Sequence, residues 1–182
     1  MSARKTFATQ PCSIARTLDV VGDWWTLLVL RDVFRGAHRF DELKRGLDIA
    51  TNVLTARLKR LTDAGILERH AYQEHPPRFD YAITDKGRDL YPVLIALLQY
   101  GDRHLRGSDD PPRVLVHDTC GNETQPEFIC PHCRSEVSAH NARTVSRAER
   151  PRSVRASATA TPTGSRSGSG SGSGSRRGRS SR

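Results

Sequence analysis

The chain has 182 residues, of which 36% are hydrophobic, so it can build one ordinary hydrophobic core with appendages. Its formal charge of +9 comes from the end of the sequence: residues 1–139 carry 19 Lys and Arg against 19 Asp and Glu, whereas residues 140–182 carry ten Arg and one Glu. No run of about 18 apolar residues is present, and the N-terminal stretch has no apolar core typical of a secretory signal, so we expect a cytoplasmic protein without a membrane partner. In that compartment the four cysteines are expected to be reduced.

Two helices are predicted before residue 35. Ser13 is a good N-cap for a helix over about residues 14–20, and Asp23 is a good N-cap for a second helix over residues 24–34. The adjacent Trp24-Trp25 pair opens the second helix at apolar helical spacing. Because large aromatic residues mostly serve burial, we interpret the pair as core and interface residues.

Residues 39–65 have the spacing of two helices joined by a tight turn. Apolar residues recur at helical intervals in both segments: Phe40, Leu43 and Leu47 in the first, and Leu54, Leu58 and Leu61 in the second. Thr51 is suited to cap the second helix, and Gly65 is suited to end it. The face opposite its leucines is short, polar and partly basic: Asn52, Ala56, Lys59 and Asp63. Such a face can enter a major groove about 12 Å wide, although the spacing alone also fits any small α-helical core.

A β-hairpin and a long helix are predicted next. Residues 66–69 begin a strand, residues 73–78 form a turn-rich loop, and residues 79–83 alternate as the returning strand. Helix, turn, helix and hairpin in this order make a winged helix. Thr84 is suited to cap a helix over about residues 85–105, whose apolar stripe is too broad for so small a domain to cover. We therefore expect part of that stripe to face a partner helix.

Seven short motifs follow one another in this region: Cys12, Val21-Gly22-Asp23-Trp24-Trp25, Arg39-Phe40-Asp41-Glu42-Leu43, Leu54-Thr55-Ala56-Arg57-Leu58, Gly65-Ile66-Leu67, Pro76-Pro77-Arg78-Phe79-Asp80-Tyr81 and Thr84-Asp85-Lys86-Gly87. Their order and spacing over roughly residues 12–106 resemble the HxlR-type winged helix-turn-helix regulators of prokaryotes. That family more often has Cys-Pro where this chain has Pro11-Cys12, and Gly-Lys-Trp where it has Gly22-Asp23-Trp24. The resemblance implies a mainly α fold with a β-hairpin wing over residues 12–108. It also implies a homodimer built through the N-terminal helix and the last helix of the domain.

A surface for double-stranded DNA is predicted from this resemblance and from the polar helix face. Thr51, Asn52, Thr55 and Lys59 would contact base edges and nearby phosphates. The flanking Arg57 and Arg60 would reach the DNA backbone. Arg78 of the wing would enter an adjacent minor groove or bind a phosphate. Asn52 is suited to adenine, and Lys59 to guanine. A two-fold dimer would need a palindromic operator. The sequence does not specify an effector.

Cys12 has two interpretations. In some members of the family the equivalent cysteine senses oxidants or electrophiles, and a thiol just ahead of a helix N-terminus has its thiolate favoured by the helix dipole. Alternatively, Cys12 is a small residue buried at the dimer seam. The sequence leaves both the redox sensor and the structural role open.

Residues 109–140 contain two pairs of potential metal ligands, His117 with Cys120 and Cys130 with Cys133. Each pair has the x2 spacing of a zinc-ribbon knuckle, and three thiolates with one imidazole favour zinc. A redox pair at Cys130 and Cys133, or unligated thiols, are the other interpretations. We predict a small zinc-ribbon-like segment that holds one structural zinc ion per chain.

Residues 141–182 are rich in Ser, Gly and Arg with almost no large apolar residue, so a disordered basic tail is predicted. The tail either contacts phosphates without reading sequence or has no role. No phosphate-binding glycine loop, nucleophile elbow or His-Glu-x-x-His motif occurs, so we expect no enzyme.

The predicted function is a dimeric, sequence-specific transcriptional regulator, with repression as the default because a dimer on a promoter blocks polymerase by occupancy. Its signal is unknown, and a redox change and a small molecule are the two candidates. The alternative is a general nucleic-acid-binding protein driven by the basic tail, with the winged helix as an interaction module.

Overall fold

The computed structural model describes residues 6–7, 9–107, 110–146 and 148–149. The chain divides into two compact units, residues 1–126 and residues 127–182. This division falls inside the segment 109–140 that is predicted to be zinc-ribbon-like. Apart from residues 141–146 and 148–149, the predicted disordered tail lies outside the described residues. None of the helices in the described ranges is long and apolar enough to cross a membrane.

The first two helices are α1 (Ser13–Val21) and α2 (Trp24–Phe34). Asp23 caps α2 as predicted, since its Oδ1 accepts a hydrogen bond of 3.1 Å from the backbone N–H of Trp25. The predicted Ser13 cap is wrong because Ser13 is already the first residue of α1. The N-cap position belongs to Cys12, whose side chain makes no capping bond.

The helix-turn-helix consists of α3 (Phe40–Leu47) and α4 (Thr51–Asp63), as the spacing predicts. Asp48 adopts a left-handed backbone conformation between them, with φ of 48°. The predicted Thr51 cap is wrong, because Thr51 lies inside α4 and Ala50 holds the N-cap position without a side-chain bond. Gly65 follows α4 with φ of +67°, a conformation that glycine adopts at little cost and that ends the helix here.

The wing is an antiparallel hairpin of β1 (Leu67–Gln73) and β2 (Arg78–Ile83), with Leu67 opposite Ile83. The first strand extends further than the predicted start at residues 66–69 indicates. The backbone N–H of Tyr81 donates a 2.8 Å hydrogen bond to the carbonyl of His38, which ties the hairpin to the segment before α3.

The predicted long helix is two helices, α5 (Asp85–Arg88) and α6 (Tyr91–His104). Thr84 caps the first as predicted, since its Oγ1 accepts a 3.0 Å hydrogen bond from the Gly87 N–H. A single continuous helix is wrong because Pro92 has no N–H for the carbonyl of Arg88 four residues earlier, and the chain turns at this point.

One hydrophobic core joins the helices to the base of the wing. Its buried members are Val21, Val29, Leu30, Val33, Leu43, Ile49, Leu54, Leu58, Leu61, Ile66 and Leu67. Trp25 packs against this core, whereas Trp24 is 72% exposed. The two tryptophans therefore occupy different environments, and only Trp25 contributes to the core of the chain.

The first unit also contains a small hairpin of β3 (Val116–His117) and β4 (Asn122–Glu123). The hairpin is anchored by hydrogen bonds from Gln99 of α6 to the carbonyl of Pro126 (3.0 Å) and from the N–H of Thr124 to the carbonyl of Leu115 (2.8 Å). In the second unit Ile129 and Glu136 form an isolated antiparallel bridge.

Candidate nucleic-acid interface

The helix α4 has one buried face and one exposed face. Leu54, Leu58 and Leu61 are each 0–1% exposed and hold α4 on the core. The opposite face is exposed and consists of Thr51, Asn52, Thr55, Ala56, Lys59 and Asp63. Burial of the leucines therefore fixes which short polar side chains α4 presents to solvent.

Two local bonds organise this outer face. The Lys59 Nζ lies 2.7 Å from Asp63 Oδ2, with both side chains largely exposed. The Thr55 hydroxyl donates a 2.8 Å hydrogen bond to the carbonyl of Thr51. An exposed ion pair of this kind is typically worth less than about 1 kcal/mol, so a phosphate or a base edge can replace Asp63 as the partner of Lys59 at small cost.

Arg57 and Arg60 do not share this face. The Arg57 Nη2 lies 3.1 Å from Asp23 Oδ2, and both side chains are about one-fifth exposed. The Arg60 guanidinium donates to the carbonyls of Val20 (3.1 Å from Nε) and Asp19 at the end of α1. Both guanidinium groups are thus bound to the junction of α1 and α2, which differs from the predicted backbone contacts on the flanks.

A hollow of about 260 Å³ lies where α4 meets the root of the wing. It is lined by Thr55, Lys59, Thr62, Asp63, Arg69 and Tyr81. Burial raises the pKa of the Tyr81 hydroxyl, an effect that the neighbouring Arg69 opposes. Thr62 and Tyr81 are not among the residues that the sequence predicts to contact DNA. The alternation of β2 alone could have placed Tyr81 on the face of the wing that turns toward α4.

Three arginines lie on or beside the wing, and Arg78 is the one at its tip. Arg78 is exposed at the start of β2, opposite Gln73, where the strand register shifts. Arg69 lies over the Phe79 ring at 4.7 Å and Arg39 over the Tyr72 ring at 4.8 Å. Of these, Arg78 is the guanidinium group placed furthest from the body of the domain along the hairpin.

Three residues after the wing hold the end of α4. Thr84 Oγ1 donates to the Gly65 carbonyl (2.8 Å) and Lys86 Nζ to the Ala64 carbonyl (2.6 Å). A Cβ on Gly87 would lie 2.3 Å from the carbonyl oxygen of Ile66, so only glycine fits there. This clamp of Thr84, Lys86 and Gly87 fixes the wing relative to α4.

Two helices carry apolar side chains that the described part of the chain leaves uncovered. On α1, Ile14 is 71% exposed and Leu18 is 50% exposed. On α6, Val93, Leu97 and Tyr100 are 46%, 50% and 59% exposed and follow helical spacing. These are the helices for which the sequence predicts a dimer contact.

Cys12 is exposed at the N-cap of α1, and its carbonyl accepts a 3.0 Å hydrogen bond from the Arg16 N–H. This position is the one that the sensor interpretation requires. It also adjoins the uncovered face of α1, so the structural interpretation at a dimer seam stays open as well.

Each predicted zinc-ligand pair lies in a tight turn. Cys120 Sγ is 3.5 Å from His117 Nδ1, and the turn continues through Gly121 with φ of +71°. Hydrogen bonds to Asn122 lower the pKa of the Cys120 thiol. In the second unit, the N–H of Arg134 donates to the Cys130 carbonyl (2.9 Å), and hydrogen bonds to Ser135 lower the pKa of the Cys133 thiol. Within the described residues, no three His, Cys, Asp or Glu side chains are gathered as a metal site.

Comparison with known proteins decides the family. The model of the HxlR-like helix-turn-helix family matches residues 20–109. An uncharacterised HTH-type transcriptional regulator of Mycobacterium tuberculosis is 42% identical over 129 residues, which are 71% of this chain and 82% of that protein. The chain belongs to the HxlR-like helix-turn-helix family. It is a winged-helix transcriptional regulator and not an enzyme.

Two solved structures extend this likeness beyond the winged helix. The candidate transcription factor PA1607 is 34% identical with a TM-score of 0.70, over 79% of this chain and 99% of that chain. The candidate transcription factor PA1374 from Pseudomonas aeruginosa is 36% identical with a TM-score of 0.56, over 80% and 99%. Because the family model ends at residue 109, the shared structure includes part of the segment that follows it.

Proposed function

We propose that this HxlR-like protein is a dimeric repressor that reads a palindromic operator with α4. The observation that carries the proposal is the exposed polar face of α4, which stands opposite three fully buried leucines. Thr51, Asn52, Thr55 and Lys59 are the side chains that would reach base edges and nearby phosphates.

Each of these side chains suits a different contact. The Asn52 amide can both donate and accept, which matches the N6 and N7 edge of adenine, and the Lys59 ammonium matches the acceptors of guanine. Arg78 would contact the backbone or the minor groove beside the wing. Arg57 and Arg60 have no part in this surface, since their guanidinium groups are bound to the junction of α1 and α2.

The dimer would form through the uncovered faces of α1 and α6. Apolar side chains that are half exposed on both helices support this assignment, because contiguous exposed apolar patches mark interaction surfaces. A two-fold dimer would place its two α4 helices in successive major grooves, about 34 Å apart. Occupancy of a promoter by such a dimer would block polymerase.

A structural zinc ion on His117, Cys120, Cys130 and Cys133 is a second proposal, based on the spacing of the ligands. It is supported by the tight turn that each pair forms within its own unit. A closed set of four protein ligands would leave no position for a catalytic water molecule.

Selection of bound duplexes from a random pool by the full chain tests the main proposal. We expect one enriched motif with two inverted half-sites whose centres are about 10 base pairs apart. A pool without an enriched motif would contradict sequence-specific binding.

The same selection with a chain that ends at residue 140 separates regulator from general binder. The tail removed carries ten Arg and one Glu, so binding driven by the tail would be lost on all sequences. A sequence-specific regulator would lose affinity for random DNA and keep its preference for the enriched motif.

A further inference from the structure

A cleft of about 670 Å³ lies between α2, α6 and the segment that follows the winged helix, all within the first unit. Its apolar wall includes Phe34, Tyr91, Leu94 and Leu98, with the Phe34 and Tyr91 rings 5.0 Å apart. The residues 112–115 form its third side. The size is that of a small-molecule site, since such pockets typically measure about 300–1,000 Å³.

Three arginines line the same cleft: Arg31, Arg35 and Arg113. Among the described residues that line it, none is acidic. The nearby carboxylate of Asp32 is bound by Arg31 at 2.7 and 3.1 Å and also lies 3.7 Å from Arg35. Asp32 thus pairs with two of the three guanidinium groups, and one carboxylate cannot offset the charge of three arginines, which leaves an excess positive charge beside an apolar wall.

The arginines are close enough to repel one another. Burial, and then the charges of Arg31 and Arg113, lower the pKa of Arg35, and Asp32 opposes this only in part. Three like charges held near one another are stabilised by an added anion, and a guanidinium group binds a carboxylate in a bidentate manner.

We propose that the cleft binds a small amphipathic carboxylic acid, with its carboxylate on Arg35 and Arg113 and its apolar part against Phe34, Leu94 and Leu98. Charge complementarity favours this occupant over a neutral apolar molecule and over a second copy of α6. Leu97 also lines the cleft, and in the dimer that we propose above it would face the partner, so one edge of the cleft would lie at the seam while its arginine end stays accessible.

The position of the cleft gives the ligand a regulatory role, and this part rests on the proposed DNA binding. The helix α2 holds α4, the proposed recognition helix, through the ion pair of Asp23 with Arg57. The helix α6 carries the proposed dimer contact. A ligand wedged between α2 and α6 therefore touches both the element that positions α4 and the element that sets the distance between the two copies of α4. Binding of the carboxylate should change operator affinity.

Equilibrium dialysis of the full chain without DNA tests the cleft directly, with decanoate below its micellar concentration as the probe. We expect one decanoate per chain and at least tenfold weaker binding of decanol, which has the same apolar part without the charge. Equal binding of decanoate and decanol, or no saturable binding of decanoate, would overturn the proposal.

Variants locate the site. Arg35→Gln and Arg113→Gln should each weaken decanoate binding about tenfold, whereas Arg88→Gln, which removes the same charge from α5, should leave it unchanged. Because Arg113 lies outside the core, Arg113→Gln should keep the melting temperature of the parent, so weaker binding cannot be attributed to unfolding. Unchanged binding by both cleft variants would place decanoate elsewhere, for example on the arginine-rich tail, and would refute the site.

A second readout separates the site from its regulatory role. Decanoate should change the affinity of the full chain for its selected operator at least fivefold, and Arg35→Gln should remove that response. If decanoate binds and operator affinity does not change, the coupling is wrong and the binding site stands. If no operator exists, the proposed function fails, and the dialysis still decides whether the cleft is a site.

Discussion

Arg57 of the recognition helix is paired with Asp23, the residue that caps α2, at 3.1 Å between Nη2 and Oδ2. The other carboxylate oxygen of Asp23 accepts the capping bond from Trp25. One carboxylate therefore both starts α2 and holds α4, which fixes the rotation of the recognition helix on the domain. The arginine that the sequence assigns to the DNA backbone thus has a structural partner.

Replacement of Arg57 should affect stability and not the ionic part of DNA binding. Arg57→Gln should lower the free energy of unfolding by about 1–3 kcal/mol, because a part-buried charge-assisted hydrogen bond is lost. The slope of log operator affinity against log salt concentration should stay the same. Removal of a phosphate contact would reduce the size of that slope by about 1. Arg88→Gln is the matched control and should change unfolding by less than about 0.5 kcal/mol, since Arg88 is exposed. If Arg57→Gln made operator affinity less dependent on salt and left stability unchanged, Arg57 would be a DNA contact.

The proposed contact of Lys59 with a base can be tested by substitution. Lys59→Ala should cost about 1–3 kcal/mol of binding to the selected operator and relax the preference at one position of each half-site, because a base contact is lost. Competition binding against operators mutated at single positions measures this. Lys44→Ala, which removes an exposed lysine from α3, should leave base preference intact. A loss by Lys59→Ala that is equal on every sequence would make Lys59 a phosphate contact.

The dimer surface can be tested on α6. Leu97→Asp should yield monomers in light scattering and lose most operator affinity, because a charge would be buried at the seam and one half-site supplies only part of the binding. Phe128→Asp changes another exposed apolar residue, in the second unit, and should stay dimeric. A dimeric Leu97→Asp protein would move the seam to another surface.

Two glycines give opposite expectations for stability. Gly87→Ala should destabilise the domain by more than about 1 kcal/mol, because its Cβ would overlap the carbonyl of Ile66 and push the wing from α4. Gly46→Ala should stabilise it by about 0.5–1 kcal/mol, since its Cβ would meet only a side-chain oxygen of Asp32 at 3.5 Å and α3 gains a better helix former. Urea unfolding of both variants measures the difference. Equal effects would show that the clamp yields easily.

The zinc proposal predicts a metal content of about one zinc ion per chain in protein purified without chelator. Cys130→Ser should abolish it and make the segment after residue 109 sensitive to protease, while operator binding through the winged helix survives. Cys12→Ser is the control and should keep its zinc. Metal-free parental protein with freely alkylated Cys120, Cys130 and Cys133 would refute the site.

Periodicity was sufficient to predict the helix-turn-helix and the wing, because Leu54, Leu58 and Leu61 mark one helix face and the hairpin alternates. Periodicity was insufficient to predict the partner of a side chain that can bind either solvent or a residue distant in sequence. The sequence could not show that Arg57 prefers Asp23 to solvent, since the two residues lie 34 positions apart and meet only in the folded domain. The caps predicted at Ser13 and Thr51 lie one residue after the N-cap positions, which Cys12 and Ala50 hold, because a hydroxyl in the first turn fits the same sequence pattern as one just before it.

The break between α5 and α6 separates the part of the domain that would read DNA from α6, the helix that would contact the second copy in the dimer. The fourteen residues of α6 span about 21 Å at 1.5 Å per residue. A pivot of roughly 10° at Asp89 and Leu90 would swing the far end of α6 by about 4 Å, close to the rise of one base pair at about 3.4 Å. In the proposed dimer, a small rotation at this joint would therefore shift the DNA-reading surface by about one step along an operator, and α4 and the wing would move together without changing shape.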